Sequence, residues 1–308
     1  MKRTINEVSA AWLENKLPYV KQSTAAAYML MLENHILPYF GKHTDLTEKS
    51  VQQFVAYKLN SGLSVKSVKD ILIVMKTIMK FGNKNGWNDC YEWDLKYPTT
   101  ENSHKPEVLT VKNHKKILDY INKNISFRNI GIYISLTTGM RIGEICALKW
   151  EDIDERNGII SVRRTVGRIY ITENGKKQTK IVINTPKTKN SYRDIPMSSN
   201  LIKIIRPLKK IMNNDYFVVS NKNKPAEPRT YRNYYYRLIK RIDIPKLKFH
   251  SLRHSFATRC IESNCDYKTV SALLGHSNIA TTLNLYVHPN MEQKRRCINK
   301  MLKNIEKS

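Results

Sequence analysis

Within residues 250–286, HSLRHSFATRCIESNCDYKTVSALLGHSNIATTLNLY, four side chains have the types and spacing to act on a phosphodiester. His250 and Arg253 lie three apart on a predicted helix, so both side chains leave one face. A second predicted helix, residues 266–274, ends at Gly275, a residue suited to a left-handed cap, and delivers His276 in a loop. Ten residues later a short apolar segment presents Tyr286. A phenol titrates near pH ~10. It becomes a nucleophile only where its target is already electrophilic or its proton is accepted locally. Arginine fits a phosphate bidentately, and imidazoles can donate to the remaining oxygens. The grouping suits attack by Tyr286 on a phosphodiester. His250 and His254 also have the i,i+4 spacing of helical zinc ligands. The H-E-x-x-H glutamate is absent, however, and Cys260, Cys265 and His276 form no zinc-ligand pair, so no metal site is expected and His254 reads as a packing or supporting residue beside His250.

Upstream, Gly139 breaks a predicted helix and Arg141 falls in the first turn of the next, where helix dipole and free N–H groups add to its charge toward an anion. An ordinary i,i+3 pair with Glu144 accounts for Arg141 equally well. Lys187 and Lys189 lie in T-P-K-T-K-N-S-Y, which reads as the tip of a hairpin. A lysine on a mobile tip can donate a proton to a leaving oxygen. Most such lysines merely keep a turn soluble.

The order H-x-x-R, L-G-H and a tyrosine ten residues on resembles the C-terminal signature of the tyrosine recombinases, the phage and transposon integrases. T-G-M-R-I-G-E-I-C-A-L-K-W is similar to that family's first catalytic box, and P-K-T-K before a strand ending in I-P looks like its catalytic hairpin. The resemblance implies that Arg141, Arg253 and His276 hold the scissile phosphate, with Glu144 in support. It makes Tyr286 the nucleophile that forms a 3′-phosphotyrosine, and gives Lys187 the 5′ oxygen to protonate. His250 either accepts the phenolic proton or donates to a phosphate oxygen. A 5′-hydroxyl from another duplex then reverses the step, without metal or ATP, and a mobile element is integrated or excised. The implied partners are double-stranded DNA with specific crossover sites, three further copies in a DNA-bound tetramer, and accessory DNA-bending or directionality factors. The residue chemistry alone also allows a type IB topoisomerase, and the charge alone a basic regulator that binds DNA without cutting it.

These residues need a scaffold, and the pattern around them is mainly α with a small antiparallel β-sheet, an α+β chain. Residues 1–98 read as four or five short helices, the place of the family's helical core-binding domain. Residues 99–108, polar and proline-containing, form a linker, and 109–308 form the catalytic domain. Period-two segments at 158–162, 168–172, 179–184 and 192–196 predict strands, with Asn174-Gly175 at a hairpin turn and a further short strand at 216–219. The helix expected over 228–242 mixes basic and aromatic residues as nucleic-acid surfaces do, which makes Arg229, Arg232 and Arg237 candidate DNA contacts. Lys66 and Lys69 are candidates in the first domain. The tail, about 290–308, puts Ile298, Met301, Leu302 and Ile305 on one helical face, suited to packing on its own domain or on a neighbouring protomer.

Composition agrees with a polyanionic partner. Lys plus Arg number 53 against 26 Asp plus Glu, a net charge of +27 that favours nucleic acid. No apolar run reaches the ~18 residues of a membrane span, and the N-terminus lacks a signal-peptide core. A cytoplasmic, DNA-associated protein is expected, its five scattered cysteines free thiols.

Overall fold

The computed structural model of the chain describes residues 2–99, 106–173, 176–186 and 189–286, and in the tail Met291, Arg295, Ile298, Asn299, Met301, Leu302 and Ile305. Packing divides the chain into two units, Met1–Ser103 with Arg168–Lys180, and His104–Gly167 with Ile181–Ser308. No helix among the described residues is long and apolar enough to cross a membrane.

The first unit is helical over α1 (Ile5–Lys16), α2 (Gln22–Met31), α3 (Leu37–Phe40), α4 (Glu48–Asn60) and α5 (Val65–Lys84). Thr4 caps α1 in a reciprocal arrangement: Thr4 Oγ1 accepts from the backbone of Glu7, and the Glu7 carboxylate accepts from the backbone of Thr4. Thr47 and Ser64 cap α4 and α5 by accepting from the backbone N–H of Ser50 and of Ser67. The sequence predicts a stop near Ile36, before Pro38. Instead the chain stays helical to Phe40 through a π-turn at Leu32–Ile36. Proline lacks the N–H and crowds the preceding turn, and the wider π-turn gives that ring room. Apolar residues of α1 (Ile5, Val8, Trp12) and α5 (Ile71, Met75, Ile78, Met79) are buried in one core with Phe40 and Phe54. Each such side chain contributes about 2 kcal/mol of burial.

The second unit is built around α7 (Phe127–Thr138), buried along nearly its whole length. Around it pack α6 (Val111–Lys123), α8 (Ile142–Ala147), α9 (Ser199–Lys209), α10 (Pro228–Arg241) and α11 (His250–Glu262), followed by α12 (Tyr267–Leu274) and α13 (Ala280–Tyr286). Strands β1 (Ile153–Asp154), β2 (Ile159–Val162) and β5 (Arg193–Pro196) form an antiparallel sheet in the order β1-β2-β5, with Ile160 opposite Ile195 and Val162 opposite Arg193. Strands β3 (Thr165–Glu173) and β4 (Lys176–Asn184) pair separately with each other. The expected turn at Asn174-Gly175 lies outside the described residues.

Two strand expectations are corrected. Residues 185–192 join two different sheets and are not a hairpin tip, because β5 pairs with β2 and β4 with β3. Burial explains the choice: Ile160, Val162 and Ile195 are in the core, whereas Ile181 and Ile183 of β4 are exposed. The strand expected at 216–219 reduces to isolated bridges from Phe217 to Lys149 and to Lys222. Asn221, left-handed at φ 49°, turns the chain back too soon for a ladder to extend. Cys90, Cys146, Cys260 and Cys265 are free thiols; Cys297 lies outside the described residues. In the tail, Met291, Ile298, Met301, Leu302 and Ile305 are exposed.

Candidate active site

Two of the candidate groups, His250 and Arg253, stand on α11 beside His254. Arg253 is buried, 2% exposed, and its guanidinium is pinned between two helix ends: Nη1 donates to the carbonyl of Gly139 at 2.8 Å and Nη2 to that of Leu274 at 2.8 Å. These carbonyls end α7 and α12, where helix dipoles favour a cation. Both ends are turned by a left-handed glycine, Gly139 at φ 67° and Gly275 at φ 65°. A methyl at Gly139 would come within 2.6 Å of Phe256 and 2.7 Å of Leu274. Gly139→Ala is therefore expected to cost about 1 kcal/mol for the left-handed backbone and about 1–3 kcal/mol more for overpacking. Urea denaturation measures the sum. Burial, with the charge of Arg141, lowers the Arg253 pKa to about 9, which leaves it charged at neutral pH.

Arg141 is the N-cap of α8, one residue earlier than expected, and it makes the i,i+3 pair with Glu144. Its Nη1 meets Glu144 Oε1 at 2.8 Å, its backbone N–H donates to Glu144 Oε2, and its side chain is 37% exposed. Glu144, 4% exposed, also receives both terminal nitrogens of Arg193, at 2.9 and 3.2 Å. Burial raises the Glu144 pKa, but the hydrogen bonds and charges of Arg193 and Arg141 outweigh it and hold the carboxyl below its ordinary range. Sequence reasoning missed Arg193. Its Nε donates to the carbonyl of Leu273 at 2.7 Å, so it ties β5 to α12 as well as to α8. The available signal was the period of two: Arg193 shares a face of β5 with buried Ile195.

His276 follows the Gly275 cap. Its Nδ1 lies 2.8 Å from Oγ1 of fully buried Thr282, which fixes the ring and was also missed in the sequence. Burial and the charges of Arg253, Arg141 and Arg193 push the His276 pKa down to about 4 from 6.5. The unfolded chain thus takes up this proton first as pH falls, so stability is lost between about pH 6.5 and 4. Lowering the pH from 7 to 5 should remove at most about 2 kcal/mol through this residue, reduced by the water that reaches its half-buried ring. A melting series against pH, flatter in His276→Gln, checks it. His250, exposed at the cavity mouth, is pushed the same way, but water screens its share.

Tyr286, at the end of α13, is buried to 8% exposure, and its hydroxyl lies 2.5 Å from Nδ1 of His254. Of the two roles expected for His254, packing and supporting, its contacts favour the second: it stands edge-on to His250, ring centres 4.7 Å apart, and it touches the phenol. Residues 250 and 254 share a helix face, and it is the second imidazole that hydrogen-bonds the phenol of α13. Burial raises the Tyr286 pKa, and Arg253 and Arg141 pull it back.

Arg141, Glu144, His250, Arg253, His254, His276 and Tyr286 all line one cavity of about 450 Å³, together with Pro186 and Ser191. Lys187 lies outside the described residues, directly after Pro186. Lys189 begins the turn Lys189–Ser191, and its side chain lies outside the description. Among the described residues no three His, Cys, Asp or Glu side chains group as a metal site.

The other candidates are elsewhere. Arg229, Arg232 and Arg237 are exposed on α10, whose opposite face buries Tyr231 and Tyr235. Arg237 lines a second cavity of about 250 Å³ with Arg128, Arg241, Tyr120 and Tyr234. Tyr231 donates to the Arg128 carbonyl and Tyr234 to Asn129, so both serve packing. Lys66 and Lys69 are exposed on α5, with Lys69 Nζ 4.5 Å from the centre of the Tyr97 ring.

The fold resembles solved integrases. The Tn1549 transposon integrase in complex with transposon right end DNA superposes with a TM-score of 0.77 at 21% identity, covering 97% of this chain and 100% of the other. A lambda integrase tetramer bound to a Holliday junction gives 0.67 at 18% identity, covering 93% and 78%. Among curated proteins, a tyrosine recombinase XerC-like protein of Caldanaerobacter subterraneus subsp. tengcongensis is 27% identical over 96% of this chain and 82% of its own length. The ICEBs1 integrase of Bacillus subtilis is 24% identical over 86% and 74%. Residues 4–59 match the N-terminal SAM-like domain of phage integrases. Residues 107–293, which hold the whole cavity and its tyrosine, match the phage integrase family, and it is to this family that the chain belongs.

Proposed function

We infer that the chain is a site-specific DNA recombinase that cuts and rejoins strands through a 3′-phosphotyrosine. The observation that carries this is a buried tyrosine hydroxyl opening on the same cavity as two guanidiniums and three imidazoles, with no counter-charge except Glu144 among the described lining residues. Arg141, Arg253 and His276 hold the non-bridging oxygens of one phosphodiester and stabilise the charge that grows in the transition state. Tyr286 attacks phosphorus, and Lys187, by its place in the family motif, protonates the departing 5′ oxygen. A 5′-hydroxyl from a second duplex reverses the step. One phosphodiester replaces another, so the exchange needs no ATP, and the arginines supply the positive charge that a metal would otherwise bring.

The domain roles follow the same reading: residues 1–98 and the catalytic domain at 109–308 both contact double-stranded DNA at a specific crossover site, Lys66, Lys69, Lys189, Arg229, Arg232 and Arg237 among the contacts. Four protomers act on two duplexes, joined through the tail at 290–308, with accessory bending or directionality factors choosing integration or excision. The setting is the cytoplasm. Affinity falls steeply with salt as lysines and arginines displace counterions.

The test is a nicked suicide duplex carrying the candidate crossover site, incubated with the protein in EDTA without ATP. A covalent protein–DNA band is expected on a denaturing gel. A site that the protein binds tightly but never joins covalently would overturn the reading.

A further inference from the structure

The chemistry of Tyr286 requires something to take its proton, and α11 offers two imidazoles. His250 makes no hydrogen bond to Tyr286 among the described residues, whereas His254 Nδ1 lies 2.5 Å from the phenolic oxygen. We propose that His254, not His250, is the general base that accepts the phenolic proton as Tyr286 attacks the phosphorus. The assignment rests on the recombinase reading above. An Nδ1 that accepts carries its ring proton on Nε2. Burial and the adjacent Arg253 lower the His254 pKa, so the ring is neutral at physiological pH and its lone pair is free to accept. The groups that face it are His250 and Arg253 on its own helix, Tyr286 from α13, and Arg141 and His276 across the cavity.

The step balances. The bond from Tyr286 Oη to phosphorus forms while the bond from phosphorus to the 5′ oxygen breaks. The phenolic proton passes to His254 Nδ1, and the departing oxygen takes a proton from Lys187. In rejoining, the imidazolium returns its proton to the departing phenolate and the attacking hydroxyl gives its own to Lys187. The positive charge that appears on His254 is met by the phosphate that Arg141 and Arg253 hold in this reading. His250 is left to donate to a phosphate oxygen.

The experiment measures adduct rates on the suicide duplex from pH 5.5 to 9 for the full chain, His254→Gln, His254→Ala, His250→Gln and Lys187→Ala. A parallel duplex carries a bridging 5′ sulfur at the cleavage point, whose thiolate leaves without a proton donor. His254→Gln should bind DNA normally yet form adduct about 10²–10³-fold more slowly at pH 7. Its rate should keep climbing with pH, because the phenol must then ionise unaided. The deficit should persist on the sulfur duplex, where a Lys187→Ala deficit disappears, and added imidazole should restore part of the rate to His254→Ala. A wild-type rate and pH profile in His254→Gln would overturn the assignment, as would the same pH signature in His250→Gln with His254→Gln unaffected. Absence of adduct from the unmodified chain on a site it binds would instead overturn the recombinase reading, and this assignment with it.

Discussion

Tyr286→Phe is expected to abolish covalent attachment to DNA, by about 10⁴-fold or more, while leaving fold and DNA affinity in place. The ring fills its place in a small apolar cluster with Ala257, Val270 and Leu274, and phenylalanine keeps that contact. What is lost is the oxygen that must bond to phosphorus, together with a hydrogen bond to His254, worth about 1 kcal/mol of stability. Tyr236→Phe, on α10, should retain the adduct. The measurement is a denaturing gel for adduct beside filter binding for affinity. Adduct persisting in Tyr286→Phe would place the nucleophile elsewhere.

Glu144→Gln should be the most damaging substitution for stability. The carboxylate is the shared partner of Arg193, itself 8% exposed, and of Arg141, with Arg253 nearby. Removing its charge leaves Arg193 buried without a counter-ion, which typically costs about 3–5 kcal/mol. Adduct formation should fall as well, because Arg141 loses the contact that orients it. The double variant Glu144→Gln/Arg193→Met should be more stable than the two single losses added together, since the methionine no longer brings an orphaned charge. Urea denaturation of the four proteins closes the cycle; strict additivity would mean that the pair is not coupled. The pH dependence has a definite sign. The folded pKa of Glu144 is depressed, so its stabilisation is complete above the unfolded carboxyl range and is lost as pH falls through the folded value. His276 acts in the same direction at higher pH, so acid weakens the site in two successive stages.

Much of this was legible in the chain because it is local. Thr4, Thr47, Ser64, Thr110 and Asp266 mark helix starts, and Gly139 and Gly275 mark helix ends, all within one turn of their effect. The order of Arg141, His250, Arg253, His276 and Tyr286 follows a motif, and the structure gathers all five at one cavity. What was not legible depends on partners distant in sequence. Arg193 meets Glu144 across 49 positions, and His254 meets Tyr286 across 32. Period two identified β4 and β5 as strands, but the partner of each is decided by which face the core can bury, so 185–192 was read as a hairpin it does not form. His254 was passed over because spacing on a helix says which side chains share a face, not which of them another helix will reach.

The apolar cluster that holds Tyr286 is separate from the main core of its unit, and its buried members among the described residues are Ala257, Val270, Leu274 and Tyr286 itself. A seven-residue segment seated on so small an apolar cluster is expected to open at a lower free energy than the main core. The nucleophile therefore has its own local equilibrium: Arg141 and Arg253, held by Glu144, Gly139 and Leu274, can stay assembled while α13, carrying Thr282 and its bond to His276, docks and undocks. The rate of strand cleavage is scaled by the docked fraction, and backbone amide exchange should be faster along α13 than in α7. A substitution that raises the melting temperature through the main core need not make the enzyme faster, whereas one that deepens the contact of Ala257 or Val270 with α13 would.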